Sequence, residues 1–185
     1  MIGHVFGYGS LANRRTHDYA RSEAAVLNGW RREWRTTRLR ELAFLSARPA
    51  PGSRILGLAA EVPVGSWTAL DRREAAYLRH DVTGSVTGAA SRVVTYGIDP
   101  KHLILPCRGA VLLSYLDTVA EGFLDLAGAE GVAGFFASTD GWARPAIDDR
   151  AAPLYSRATA PPARLRVMVD EALADLGSVV VGSMG

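Results

Sequence analysis

VFGYGSLANRR, Val5 to Arg15, is the stretch on which the reading of this chain turns. The apolar run Ile2 to Phe6 predicts a short buried strand that enters a glycine turn, Gly7-Tyr8-Gly9-Ser10. Two glycines let the backbone bend sharply and aim several N–H groups at one anion or oxyanion. Leu11 to Ala25 reads as a following helix, whose N-terminus would add a positive dipole end. Ser10 has the chemistry of an N-cap at that junction.

Gly7, Gly9 and Ala12 also fit G-x-G-x-x-A, yet the rest of a dinucleotide site is missing. That site needs a second strand ending in an acidic residue about 20 residues on. The corresponding stretch here is NGWRREWR, Asn28 to Arg35, with no apolar strand before Glu33. A P-loop fails because Lys101 is the sole lysine, and no serine stands in G-x-S-x-G. His4, His17, His80 and His102 show no zinc spacing, and Cys107 is the only cysteine. They read as surface or internally bonded histidines and a small core residue. No metal and no cofactor is expected.

Length and composition agree with an ordinary globular chain: 185 residues, 48% hydrophobic and 22% charged. One domain, 1–185, is expected. No apolar stretch approaches the ~20 residues that cross a bilayer. MIGHVFGYGS lacks the basic and apolar regions of a signal peptide, and a lone cysteine makes no internal disulfide. The simplest location is cytoplasmic, with no membrane contact. Net charge is +2, and ten arginines fall between Arg14 and Arg54. With a single lysine, that bias reads as arginine-for-lysine usage. Trp30 and Trp34 lie among Arg31, Arg32, Arg35, Arg38 and Arg40, which raises nucleic-acid binding. A strand would send those arginines to opposite faces, so no nucleic-acid partner is expected.

Outward from the turn, Val26 to Arg40 reads as extended, with a turn or bulge at Asn28-Gly29. Leu42 to Ala47, Ile55 to Val62 and Ser91 to Ile98 read as strands, Val179 to Val181 as a last one, and APGS (Ala50 to Ser53) as a turn. Ser114 opens SYLD, a capping pattern before a helix that Gly128 is placed to end. Pro162 starts another helix, with the stripe Leu165, Val169, Ala172 and Leu176 and a stop at Gly177.

A third helix is expected from Trp67 to His80, WTALDRREAAYLRH. At 100° per residue, Trp67, Leu70, Tyr77 and Leu78 share one arc, and Glu74 falls at its centre. A carboxylate on an inward face is costly unless it is paired, hydrogen-bonded or turned to a wet pocket. Arg72 and Arg73 lie too far round such a helix to pair with it. Glu74 therefore reads either as a structural ion-pair partner of another element or as a functional group.

Three pieces, in order, resemble the gamma-glutamylcyclotransferase-like superfamily, which includes the ChaC-type enzymes. They are FGYGSL (Phe6 to Leu11), similar to the family's YGS loop, then GWRREWR (Gly29 to Arg35), then LDRREAAY (Leu70 to Tyr77). Glu74 matches the family's catalytic glutamate. In CRGAVLLSYLDTV, Cys107 to Val119, Tyr115 resembles a substrate-side tyrosine. GWARPAIDDRAAPLYSR, ending at Arg157, has no placed counterpart. The resemblance implies an α+β fold, a small mixed β-barrel with flanking helices.

It also implies a reaction, the internal aminolysis of a small γ-glutamyl compound. Such a reaction belongs to glutathione metabolism and releases 5-oxoproline and an amine or amino acid. Glu74 would be catalytic, and Tyr8, Gly9, Ser10, Leu11 and Tyr115 substrate-binding. Within that chemistry, the loop N–H groups are suited to an α-carboxylate, and either the loop or Tyr115 to an oxyanion. The alternatives are a γ-glutamylamine cyclotransferase with a different pocket mouth, or a small-acid binding module of the same fold without turnover. Oligomeric state is open.

Overall fold

The computed structural model describes residues 3–89, 91–106 and 108–182; Cys107, read above as a core residue, lies outside them. The first strand, β1 (Gly3–Gly7), enters the glycine turn as expected. The following residues do not form a helix. Two three-residue 3₁₀ turns, Ser10–Ala12 and Arg14–Thr16, and a short irregular segment lead into β2 (Ser22–Thr37). Asn13 makes the difference. Its side chain accepts from Arg15 N at 2.9 Å and donates to Thr118 O at 2.8 Å and Glu121 Oε2 at 2.9 Å, so the chain is tied down where a helix would run on. With no helix of any length after the turn, no macrodipole reaches the loop.

β2 and β3 (Arg40–Val62) form a long hairpin that closes with Thr37 opposite Arg40. The two strands expected within β3 are one. APGS is a bulge instead of a chain reversal: between the pairs Asn28–Arg54 and Trp30–Pro49, Gly29 alone faces four residues. Gly29 and Gly52 have φ of 75° and 82°, a conformation that favours glycine. Trp30, Arg32 and Trp34 alternate inward along β2, so the arginines split between two faces.

The helix predicted over 67–80 breaks in its middle. α1 (Trp67–Arg73) stops at Glu74, and β4 (Tyr77–Asp81) pairs antiparallel with β5 (Arg92–Ile98). Five ladder positions and the bond from Tyr77 OH to Leu45 O (3.0 Å) override the helical pattern. The sheet order is β4-β5-β1-β3-β2-β7, where β7 is Thr139–Asp140. The expected α+β fold with a mixed sheet and flanking helices is present, and its barrel is not closed: the strands form an open ladder. Ile98 N donates to Ser46 Oγ at 3.0 Å, so side chains bridge the end of β5 and the first half of β3. A second, parallel sheet orders β6 (Val111–Leu112), β8 (Ala146–Asp148) and β9 (Val180–Gly182).

α2 (Leu113–Ala137) covers the ladder with Leu116, Val119, Ala120 and Phe123, all at 0% exposure. Gly128 (φ 62°) breaks it as expected, but helix resumes to bury Phe135 against Phe123, ring centres 5.1 Å apart. The SYLD box does not cap. Asp149 caps from afar, accepting from Ser114 N (2.8 Å) and Ser114 Oγ (2.5 Å). α3 (Ala163–Asp175) buries Leu165, Val169 and Leu173. No helix among the described residues is long and apolar enough to cross a membrane.

Candidate active site

Between the glycine turn, the end of α1 and the start of α2 lies a cavity of about 720 Å³. Its wall includes Tyr8, Gly9, Ser10, Leu11, Glu74 and Tyr115, so all six candidate site residues border one space. Four others in the wall, Leu154, Tyr155, Ser156 and Arg157, come from the stretch with no placed counterpart.

The turn is fixed from several sides. Arg32, fully buried, donates from Nε to Tyr8 O at 2.8 Å and from Nη1 to Ser138 Oγ at 2.6 Å, and Nη2 donates to Leu56 O. Its guanidinium lies 4.7 Å from the Phe123 ring centre. Burial pulls its pKa down to about 9, and it stays protonated at neutral pH. Arg32 is a positioning residue that sequence reasoning missed: in sequence it was one arginine among ten, and only strand alternation beside Trp30 and Trp34 hinted at an inward position. Thr16 Oγ1 donates to Ser10 O at 2.8 Å, and Arg73 Nη2 donates to Ser10 Oγ at 3.3 Å. Ser10 is thus the first residue of a 3₁₀ turn and an acceptor for Arg73, and no side-chain cap forms there.

Gly9 is required by close approach. Its φ is −124°, outside the left-handed region a glycine turn suggests. A Cβ there would stand 2.8 Å from the Tyr115 hydroxyl. At Gly7 a Cβ would meet the Leu11 backbone at 2.5 Å.

Glu74 ends α1, its N–H donating to Leu70 O at 2.9 Å. Its side chain is 16% exposed and pairs with Arg73, Nε to Oε1 3.1 Å. The helical-wheel exclusion of Arg73 fails because Glu74 (φ −99°, ψ 32°) has left the helix. The pair is not remote from the loop, since the same guanidinium bonds Ser10 and Thr16 O (2.8 Å). Burial pushes the Glu74 carboxyl above its ordinary value, against the opposing pull of Arg73 and Arg157.

Three phenols surround this carboxylate, and burial raises the pKa of each, so each keeps its proton. Tyr8 spends its proton on Tyr96 O (2.6 Å) and Tyr77 on Leu45 O (3.0 Å). The Tyr8 hydroxyl proton is thus committed to the protein backbone. At Tyr115 a backbone hydrogen bond from Ser10 opposes that rise, which ties its hydroxyl to the glycine turn at the cavity wall.

The far wall is a strap, residues 149–159, fastened to α2. Asp149 Oδ2 accepts from Leu154 N at 2.9 Å, Arg150 binds both oxygens of Asp117 at 2.8 Å, and Thr159 N donates to Thr118 Oγ1 at 3.0 Å. Tyr155 meets Tyr115 edge-on, ring centres 5.0 Å apart. The strap was illegible in sequence because its anchors lie more than 30 residues away.

No family model matches the chain, and no curated protein matches it in sequence. Solved structures do. YkqA from Bacillus subtilis is similar at 18% identity over 71% of this chain and 52% of that one, TM-score 0.56. The chain thus spans about half the length of YkqA. An uncharacterized Homo sapiens protein aligns at 12% identity over 91% and 98%, TM-score 0.55. A structure described as gamma-glutamyl cyclotransferase aligns at 11% over 92% and 99%, TM-score 0.57. The fold is the gamma-glutamylcyclotransferase-like fold.

Proposed function

We propose that this cavity catalyses the release of 5-oxoproline from a γ-glutamyl compound. The observation that carries the reading is the convergence of Glu74 with the Tyr8–Leu11 loop on one cavity, with Arg73 bridging the Glu74 carboxylate and Ser10. The fold likeness to a gamma-glutamyl cyclotransferase supports it.

In this reading the loop N–H groups hold the substrate's α-carboxylate. The α-amine then faces Glu74, whose raised pKa suits a base working near neutral pH. Glu74 takes a proton from the α-ammonium. The freed nitrogen attacks the γ-carbonyl carbon and closes a five-membered lactam. The Tyr115 hydroxyl, still protonated, donates to the oxygen that gains charge. As the bond to the far amine breaks, Glu74 returns its proton to that nitrogen, then takes the second proton from the ring nitrogen and passes it to the released amine, which departs as an ammonium, so one carboxylate serves every transfer. Nucleophile and electrophile share one short chain, and holding it folded supplies much of the acceleration.

The test is 5-oxoproline release from a panel of γ-glutamyl amino acids, peptides and amines. Release by the parent protein, lost on substitution of Glu74, is the expected result. A folded protein that releases 5-oxoproline from none of them overturns the reading.

A further inference from the structure

The glutamyl end of such a substrate carries one carboxylate and one ammonium, which the loop and Glu74 answer. The wall offers more positive charge than that. Apart from the Arg73–Glu74 pair it contains Arg40, Arg72 and Arg157, all exposed, and among the described residues no second carboxylate lines it. Among the described residues these three pair with no acidic side chain. Arg157 is the one of the three exposed arginines whose field acts on Glu74, so it stands within electrostatic reach of the reacting end. The strap that carries it is pinned on both sides, through Asp149 and Thr159.

We propose that Arg157 is a specificity-determining residue that recognises a carboxylate on the leaving amine, so that the substrates are γ-glutamyl amino acids or peptides. This rests on the reaction proposed above. A leaving group with a positive end meets three like charges and is rejected. Exposed Leu39 (46%) and Leu154 (62%) on the same wall suit a small aliphatic side chain between the two charged ends.

Three compounds that differ only at the far end test this: γ-glutamyl-alanine, γ-glutamyl-ethylamide, which lacks the carboxylate, and the γ-glutamyl amide of ethylenediamine, which carries an ammonium. kcat/KM for 5-oxoproline release is expected to fall in that order. Arg157→Gln should shrink the alanine-to-ethylamide ratio about five- to tenfold, and Arg157→Lys should keep part of it. Added salt should shrink the ratio in the parent. Release without preference for the carboxylate, or a ratio that Arg157→Gln does not move, overturns the proposal while leaving the reaction intact. Should no compound release 5-oxoproline, the reaction reading has failed, and calorimetric binding of the same three decides the remainder. Carboxylate-dependent affinity lost in Arg157→Gln upholds the recognition, and its absence overturns that as well.

Discussion

Two regions make the cavity, and they are held in different ways. The glycine turn is determined along its length: Arg32 fixes Tyr8 O, Arg73 and Thr16 hold Ser10, Asn13 binds α2, and Tyr115 closes over Gly9. The strap is pinned at its ends and carries exposed side chains between, Leu154 and Arg157 among them. In the proposed enzyme, chemistry common to all substrates sits on the first region and selection among them on the second. A rigid element suits a fixed geometry, and an end-anchored one tolerates variation.

Glu74 gives the sharpest separation, because Arg73 ties it to the turn and Arg157 reaches it from the strap. Glu74→Gln keeps shape and removes the base. Turnover is expected to fall roughly 10²–10⁴-fold. Substrate binding should change little, since the loop holds the α-carboxylate. Thermal midpoint and 5-oxoproline release on one preparation check this. Full activity with a lowered midpoint would make Glu74 a structural partner of Arg73.

The next largest effect belongs to the turn. Arg32→Met leaves Tyr8 O, Leu56 O and Ser138 Oγ without their donor, at about 1–3 kcal/mol for each buried group. A midpoint lower by roughly 6–12 °C is expected for a loss of about 3 kcal/mol. Activity should fall with it, as the loop loses its anchor. An active, equally stable Arg32→Met protein would show that the turn is not held as described. Gly9→Ala should cost turnover through the 2.8 Å approach of Tyr115 Oη. Because the ring carbon behind that oxygen stands 4.0 Å away and the remaining near atom, Leu45 Cδ2 at 3.1 Å, is the end of a side chain that can shift, Tyr115→Phe should restore loop binding in the double variant, though not the oxyanion donor. Ligand affinity and kcat measured together separate those two roles.

The same contrast explains what the sequence revealed. The turn was legible because its glycines and its strand are contiguous, and Glu74 because a carboxylate broke an apolar arc. The arc itself was misjudged. The chain from Glu74 onward becomes β4, since cross-strand bonds to β5 outweigh helical spacing. Leu11 to Ala25 failed as a helix for a related reason: Asn13 bonds to Thr118 and Glu121, over 100 residues on. Arg32, Asp149 and the strap depend on partners that no local pattern marks.

For the strap, Asp149→Ala removes the acceptor for Ser114 N and Leu154 N. A loss of about 1–2 kcal/mol, the scale of a helix cap, is expected. KM should rise more than kcat falls, since the strap bounds the cavity without bearing Glu74. A stability loss as large as that of Arg32→Met would erase the distinction between the two regions.

The smallest effect is electrostatic and links both. Glu74 is held above the ordinary carboxylate range by burial, opposed by Arg73 and then by Arg157, with Tyr8, Tyr77 and Tyr115 around it protonated and neutral. A raised folded-state pKa means that the folded protein keeps a proton the unfolded chain has already lost. That contribution to stability is full below the unfolded pKa and disappears as pH rises through the folded one. Parent and Glu74→Gln should therefore match in midpoint at acid pH, and the Gln variant should be the more stable at neutral pH. The acid limb of turnover, where Glu74 becomes the base, should lie above the ordinary carboxylate range. Arg157→Gln withdraws one of the two opposing cations, so the limb should move to higher pH still. Asp149→Ala, which loosens the strap and keeps the charge, should move it less. A limb that Arg157→Gln leaves in place would mean that the strap shapes the cavity without reaching its carboxylate.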